Sequence, residues 1–244
     1  MVVMNYKSLQ NDKQLKRAIS YPYDITSNSF TFIKGRSDVF DILLTKGRYP
    51  VIGYGSNQSP QRLREKYGVD HAAIPVQRGW LVDHDVVYSA HFASYGSIPA
   101  ALTYVKGSSV SVAVNWLNDE QLEIMHGTEW DNYNYAHLTD ISLKLQEGTI
   151  LTEAFAYLCF TGYITNNGSP IALKEVDSKN RIFDSLKQIE ILTLVRDKLE
   201  PKMKLDDFLR EQIVNKKIRQ ERTKELRKQA IEPLNTSHVV ISYT

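Results

Sequence analysis

The chain has 244 residues, with 30 Lys or Arg against 28 Asp or Glu and a formal net charge of +2. That balance excludes a charge-driven footprint over the whole protein, and a hydrophobic fraction of 42% excludes a chain too polar to build a core. The single cysteine, Cys159, excludes an intramolecular disulfide, and no apolar run approaches the roughly 20 residues that span a bilayer, so the expected setting is cytoplasmic with no membrane partner.

Residues 1–28 are polar and weakly patterned and read as a loose arm. FTFIK (30–34) has the β-branched and aromatic character of a short strand, DVFDILL (38–44) reads as helix, and 49–54 reads as a buried strand. The run VIGYGSNQSP (51–60) then passes from apolar residues into Gly, Ser and Asn. Ser59 and Pro60 supply an N-cap and a proline for the first helical position, and the helix should run over 61–67 to Gly68. YGSN therefore falls at a strand-to-helix junction, where loop N–H groups and the positive end of a helix can converge on an anion.

Strands are expected at 75–81, 85–89, 100–105 and 109–117, punctuated by Gly79, Gly96 and Gly107. Asn118 to Gln121 make a helix start, with an Asx cap, acids in the first turn, and Leu122 and Met125 on one face. Two more strands follow at 136–145 and 153–160; the second holds Cys159, which reads as a small core side chain. After Gly162 the texture changes: 166–170 is a loop and the pattern is helical from 171 almost to 231. The stretch VNKKIRQERTKELRK (214–228) is strongly basic. The expected organisation is an arm and packing segment over 1–46, a strand-rich core over 47–165, and a helical C-terminal extension over 166–244.

Three blocks stand where such a core would place a site: YGSN (54–57), YGSIPAALTY (95–104) and NWLNDEQLEIMHGTEWDNYNY (115–135). In this order they resemble the γ-glutamyl cyclotransferase-like superfamily. That family has an apolar strand entering YGSN, then a V-x-V-x-W-x-L strand, to which VAVNWL (112–117) corresponds with its Leu one place earlier, a helix, and a turn carrying a glutamate, to which 125–130 corresponds, with a tyrosine beyond. Two departures are visible: His126 stands for the family's Asp, and Trp130 for the Gly after the glutamate.

The resemblance implies an α+β fold with a mixed, barrel-like β-sheet flanked by helices. It implies release of 5-oxoproline from a small γ-glutamyl amine or peptide, with no cofactor and no metal. Glu129 would be the catalytic acid/base, and Tyr54, Gly55, Ser56, Asn57 and Tyr135 would bind substrate. The chemistry suits the residues. Such a substrate brings its own nucleophile, the α-amino group, and well-oriented intramolecular attack supplies an effective molarity of about 10⁵–10⁸ M. No Ser-His-Asp set, reactive cysteine or metal cluster is needed, and none is evident.

Other readings stand beside this one. Tyr54, Tyr133 and Tyr135 read first as packing residues, and His84 and His91 as poor metal partners on opposite faces. The pocket could serve binding without catalysis, or the protein could act through its basic C-terminal helices. Those helices lack the interleaved aromatics that stack bases, so no nucleic-acid partner is expected. An oligomer contact through Leu205, Leu209, Ile213 and Ile218 is the competing use.

Overall fold

A computed structural model describes residues 12–129 and 131–241. Among these residues it is an α+β structure with six helices and a large mixed sheet. Much of the expected arm is ordered: helix α1 (Lys13–Ile19) is capped by the Asp12 side chain and buries Leu15 and Ala18. Strand β1 (Phe30–Ile33) pairs with β2 (Arg36–Asp38). The helix expected over 38–44 is reduced to one 3₁₀ turn, Ile42–Thr45, because Val39, Ile42 and Leu43 have no core to face.

Strand β3 (Tyr49–Gly53) is central. After it, α2 (Pro60–Tyr67) starts at its proline, buries Leu63 and Tyr67, and ends at Gly68 with φ +71°. The four strands expected between 75 and 117 are two long ones, β4 (Ile74–Tyr88) and β5 (Ala100–Leu117), paired antiparallel. The expected break survives as a register shift. Val82 pairs with Ser109 and His84 with Tyr104, while the Gly107 N–H donates to Asp83 Oδ1 at 2.7 Å with φ +86°. A bulge of this kind bends a hairpin.

Helix α3 (Asp119–Glu129) follows, with Asn118 Oδ1 accepting from the Gln121 N–H at 2.9 Å. Then come β6 (Tyr133–Leu138), β7 (Leu143–Leu145), β8 (Ile150–Leu151) and β9 (Ala154–Cys159). Strand β3 lies antiparallel to β5 and parallel to β9, which makes the sheet mixed.

Two expectations about architecture need correction. The sheet is not a closed barrel among the described residues. Its hydrogen-bonded path through β4, β5, β3, β9 and β6 has two free ends. The bent hairpin does bring β5's first residue back beside the YGSN loop, and there tyrosine hydroxyls replace a backbone ladder. Tyr133 Oη donates to the Ala100 carbonyl and Tyr163 Oη to the Leu102 carbonyl, each at 2.8 Å.

Nor is the chain helical from 171. Residues 165–186 form β10 (Thr165–Asn166), β11 (Ser169–Pro170), β12 (Ala172–Leu173), β13 (Ser178–Lys179) and β14 (Ser185–Leu186), of which β12 and β13 pair with β4 and β5. Apolar residues at 171–176 satisfy a helical spacing, yet their backbone is claimed by the edges of the long hairpin.

Helices α4 (Gln188–Leu199), α5 (Leu205–Val214) and α6 (Lys216–Arg227) come next. The helical pattern expected from 171 almost to 231 also breaks at Asn215, whose side chain caps α6 by accepting from the Lys217 and Ile218 N–H groups. Ile191, Leu192, Phe208, Leu209 and Leu226 belong to the main core cluster. Leu205 and Leu209, offered by the sequence as oligomer contacts, are buried in this chain's own core. The last strand, β15 (His238–Val240), pairs with β6.

Candidate active site

The seam that tyrosines bridge opens into a cleft of about 660 Å³. Its floor is the loop after β3. Gly53 packs with Asn115, whose side-chain N–H donates to the Asn57 carbonyl at 3.2 Å. Tyr54 reaches away from the loop and donates its hydroxyl to the Tyr157 carbonyl. A single 3₁₀ turn, Ser56–Gln58, follows, with the Gln58 N–H donating to the Gly55 carbonyl at 3.2 Å. Tyr54, Gly55, Ser56 and Asn57 all line the cleft, as Tyr133 and Tyr157 do.

Glu129 lies in the same cleft at the C-terminal end of α3, so loop and glutamate meet. Asn57 Nδ2 donates to Glu129 Oε1 at 3.3 Å. The Thr128 hydroxyl donates to the same oxygen at 3.3 Å, and Lys66 Nζ lies 2.6 Å from it. All three contacts fall on Oε1. Oε2 takes no hydrogen bond among the described residues and is the oxygen available to a ligand. The Lys66 side chain is fully buried and that of Glu129 is 16% exposed. Burial pulls Lys66 down to about 8, against the opposing pull of the Glu129 carboxylate.

The buried tyrosines and His91 of the cleft are poorly suited to accept a proton. Burial pushes the hydroxyls of Tyr21, Tyr54, Tyr95 and Tyr133 upward, so all stay protonated. His91 is pushed down to about 3 by burial and by Arg227 nearby, and its Nδ1 lies 3.0 Å from the Thr161 hydroxyl. Cys159 is buried behind Thr161, with burial raising its thiol.

Tyr135, expected among the substrate-binding residues, does not line the cleft. It is packed behind Tyr157, with ring centroids 5.2 Å apart, and stacks on Phe155 in the cluster that also holds Leu122 and Met125. Its strand neighbour Tyr133 takes the lining position. His126, the departure from the family's Asp, lies beneath Tyr157, its Nδ1 2.6 Å from the Tyr157 hydroxyl. Trp130 lies outside the described residues.

Three contributors escape the sequence reading. Tyr21 comes from the segment after α1, and its hydroxyl accepts from the Ala100 N–H at 2.9 Å directly against Gly55. Lys66 is the second. It sits on the apolar face of α2, three residues after Leu63 and next to Tyr67, and a lysine at core spacing was a readable signal. The third is α6, whose Lys216, Arg219, Lys224 and Arg227 line the wall opposite the loop, joined by Arg62 from α2. Against these cations the lining sets only Glu129 and Asp131. Arg219 Nη1 donates to the Gln212 carbonyl at 2.6 Å and Arg227 Nη2 to Asn132 Oδ1 at 3.0 Å. Among the described residues, no group of His, Cys, Asp or Glu side chains is arranged to hold a metal ion.

No family model matches the chain, and no curated protein matches its sequence. Solved structures similar to it include the following two. One is a γ-glutamyl cyclotransferase, 17% identical, with 79% of this chain and 93% of that one covered and a TM-score of 0.37. The other is an uncharacterized protein from Homo sapiens, 16% identical, with 88% of this chain and 95% of that one covered and a TM-score of 0.37. Likenesses this distant do not bear on substrate or chemistry.

Proposed function

We propose that the protein is a γ-glutamyl cyclotransferase-like enzyme that releases 5-oxoproline from a small γ-glutamyl amine or peptide, with Glu129 as its acid/base. One observation carries this reading: Glu129 lines the cleft and is tied to the YGSN loop through Oε1, while Oε2 takes no hydrogen bond among the described residues. The order-preserving resemblance of the three sequence blocks supports it.

In this mechanism the substrate's α-ammonium gives a proton to Glu129. The freed nitrogen attacks the γ-carbonyl carbon, forming a five-membered ring and a tetrahedral oxyanion. Collapse of that species breaks the bond to the leaving nitrogen, which receives the proton back from Glu129. The ring nitrogen still carries two hydrogens at that point and passes one to the released amine, so substrate is converted to 5-oxoproline and a protonated amine. Tyr54, Gly55, Ser56 and Asn57 form the binding loop, and backbone N–H groups there are suited to the oxyanion or the substrate carboxylate. Lys66 acts as a positioning residue. A basic α6 wall favours substrates whose amine portion carries negative charge.

The test is 5-oxoproline release from a panel of γ-glutamyl amines and dipeptides. Glu129→Gln should lower the rate by about 10²–10⁴-fold in a folded protein. Equal rates in the two proteins would remove Glu129 from the chemistry.

A binding protein without catalysis is the second reading, favoured by His126 standing beneath Tyr157 where the family has an acid. It predicts ligand affinity that Glu129→Gln leaves unchanged and no turnover of any panel member.

A further inference from the structure

Beyond this cleft, a second concavity of about 510 Å³ opens on the other side of the same loop. Ser56 and Asn57 line the first cleft, and Gln58, the next residue in the turn, lines the second. Tyr21 and Tyr23 divide in the same way.

At the base of the second cleft lies Arg78, 7% exposed. Its Nη1 donates to Gln58 Oε1 and its Nη2 to Ser111 Oγ, each at 2.6 Å. Both acceptors are neutral, and no carboxylate stands within ion-pairing distance among the described residues. The other well-buried guanidinium, Arg222, is paired with Glu200 and Glu211, and the buried Asp85 carboxylate is paired with Arg181 at 2.9 Å. Buried charges are ordinarily paired in this way; Arg78 has the attraction of Asp177 but no ion pair at contact distance among the described residues, which leaves its guanidinium able to take a further anion.

A guanidinium can only donate, so the Gln58 amide must turn its oxygen toward Arg78. That leaves Gln58 Nε2, fully buried and without an acceptor. A fork of guanidinium donors beside an amide N–H matches the geometry of a carboxylate. Burial lowers Arg78 to about 10, which still leaves it charged at neutral pH.

The surroundings narrow the ligand further. Asp24, Glu175 and Asp177 line the same cleft. Three acids around one arginine oppose a free dianion and favour a ligand that also carries a positive charge.

We propose that the second cleft binds a small zwitterion of the α-amino-acid class, its carboxylate held by Arg78 and Gln58 Nε2 and its ammonium facing Asp24, Glu175 and Asp177.

Calorimetric titration of the full chain with free L-amino acids, their N-acetyl derivatives and their methyl esters tests this. At least one free amino acid should bind saturably with a dissociation constant near or below about 1 mM. Its N-acetyl and ester forms should bind at least about tenfold more weakly, since each loses one charged anchor. Arg78→Met should weaken binding by about ten- to hundredfold, and Glu129→Gln should leave it unchanged, which separates this site from the first cleft. Gln58→Glu is the second variant. It supplies Arg78 with an internal carboxylate and should abolish binding while the protein stays folded. Saturable binding that survives Gln58→Glu, or that Glu129→Gln removes, would overturn the assignment, and so would no binding by any amino acid of the panel. Because the readout is binding, the result is independent of whether the first cleft turns over a γ-glutamyl compound.

Discussion

A methyl group at Gly55 would collide with the Tyr21 hydroxyl and sit 3.0 Å from Ala100 Cβ. Both obstacles are rigidly held, because Tyr21 is buried and hydrogen-bonded to the Ala100 backbone. Gly55→Ala should therefore destabilise the protein by about 1–3 kcal/mol in denaturant unfolding, and adding Tyr21→Phe should return part of that loss. Lys66 carries a second prediction. Its folded value near 8 lies below the ordinary 10.5, so the unfolded chain holds this proton more tightly. Below pH 8 both states are charged and the group contributes a constant penalty. Between about 8 and 10.5 the unfolded chain binds more protons, so this group makes stability rise with pH. Comparing Lys66→Met with wild type over that window isolates the slope, and its absence would refute the assignment. If Lys66 positions Glu129, the same variant should lower kcat by about tenfold or more with little change in KM.

Helix α6 shows how an element can be legible in kind and illegible in place. Its basic pattern over 214–228 is plain in the sequence, and so is its helical period. What the sequence does not carry is its neighbour, because the loop it faces lies far upstream and periodicity is a local signal. The same limit hid Tyr21 inside an apparent arm and made 171–186 look helical. By contrast, the loop between β3 and α2 was readable, since Gly55, Pro60 and Gly68 each encode a local backbone feature, although Ser59 holds the N-cap position without its hydroxyl making a capping hydrogen bond. The step from YGSN to Glu129 came from the order of motifs rather than from any local rule, and the same step named Tyr135, which packs behind Tyr157, while Tyr133 lines the cleft. At this scale the prediction concerns charge. Lys216 and Lys224 are exposed, so reversing both to Glu should leave folding intact while raising KM for anionic γ-glutamyl substrates by about three- to tenfold. The effect should shrink as salt is added. An unchanged KM would separate α6 from substrate recognition.

For the molecule as a whole, the C-terminal helices are structural before they are anything else. Phe208, Leu209 and Leu226 lie in the main core with residues of β4 and β5, and β15 adds a strand beside β6. Removing residues after 200 should therefore give a chain that fails to fold cooperatively, seen as loss of a sharp thermal transition, rather than a folded core with a missing appendage. A cooperative transition in the truncated chain would restore the extension as a separable unit.

The first cleft draws its lining from Tyr21 near one end of the chain and Arg227 near the other. A ribosome makes the chain in that order, so the YGSN loop and Glu129 emerge long before the wall that faces them. At about 5–20 residues per second, the stretch from 57 to 227 takes roughly 10–30 s to synthesise. Throughout that interval the cleft cannot form, because Phe208, Leu209 and Leu226 of the core that supports it have still to be made. A cell making this protein would carry nascent chains with the loop and the glutamate but no enclosing wall, and the site would be completed only after α6 has been made.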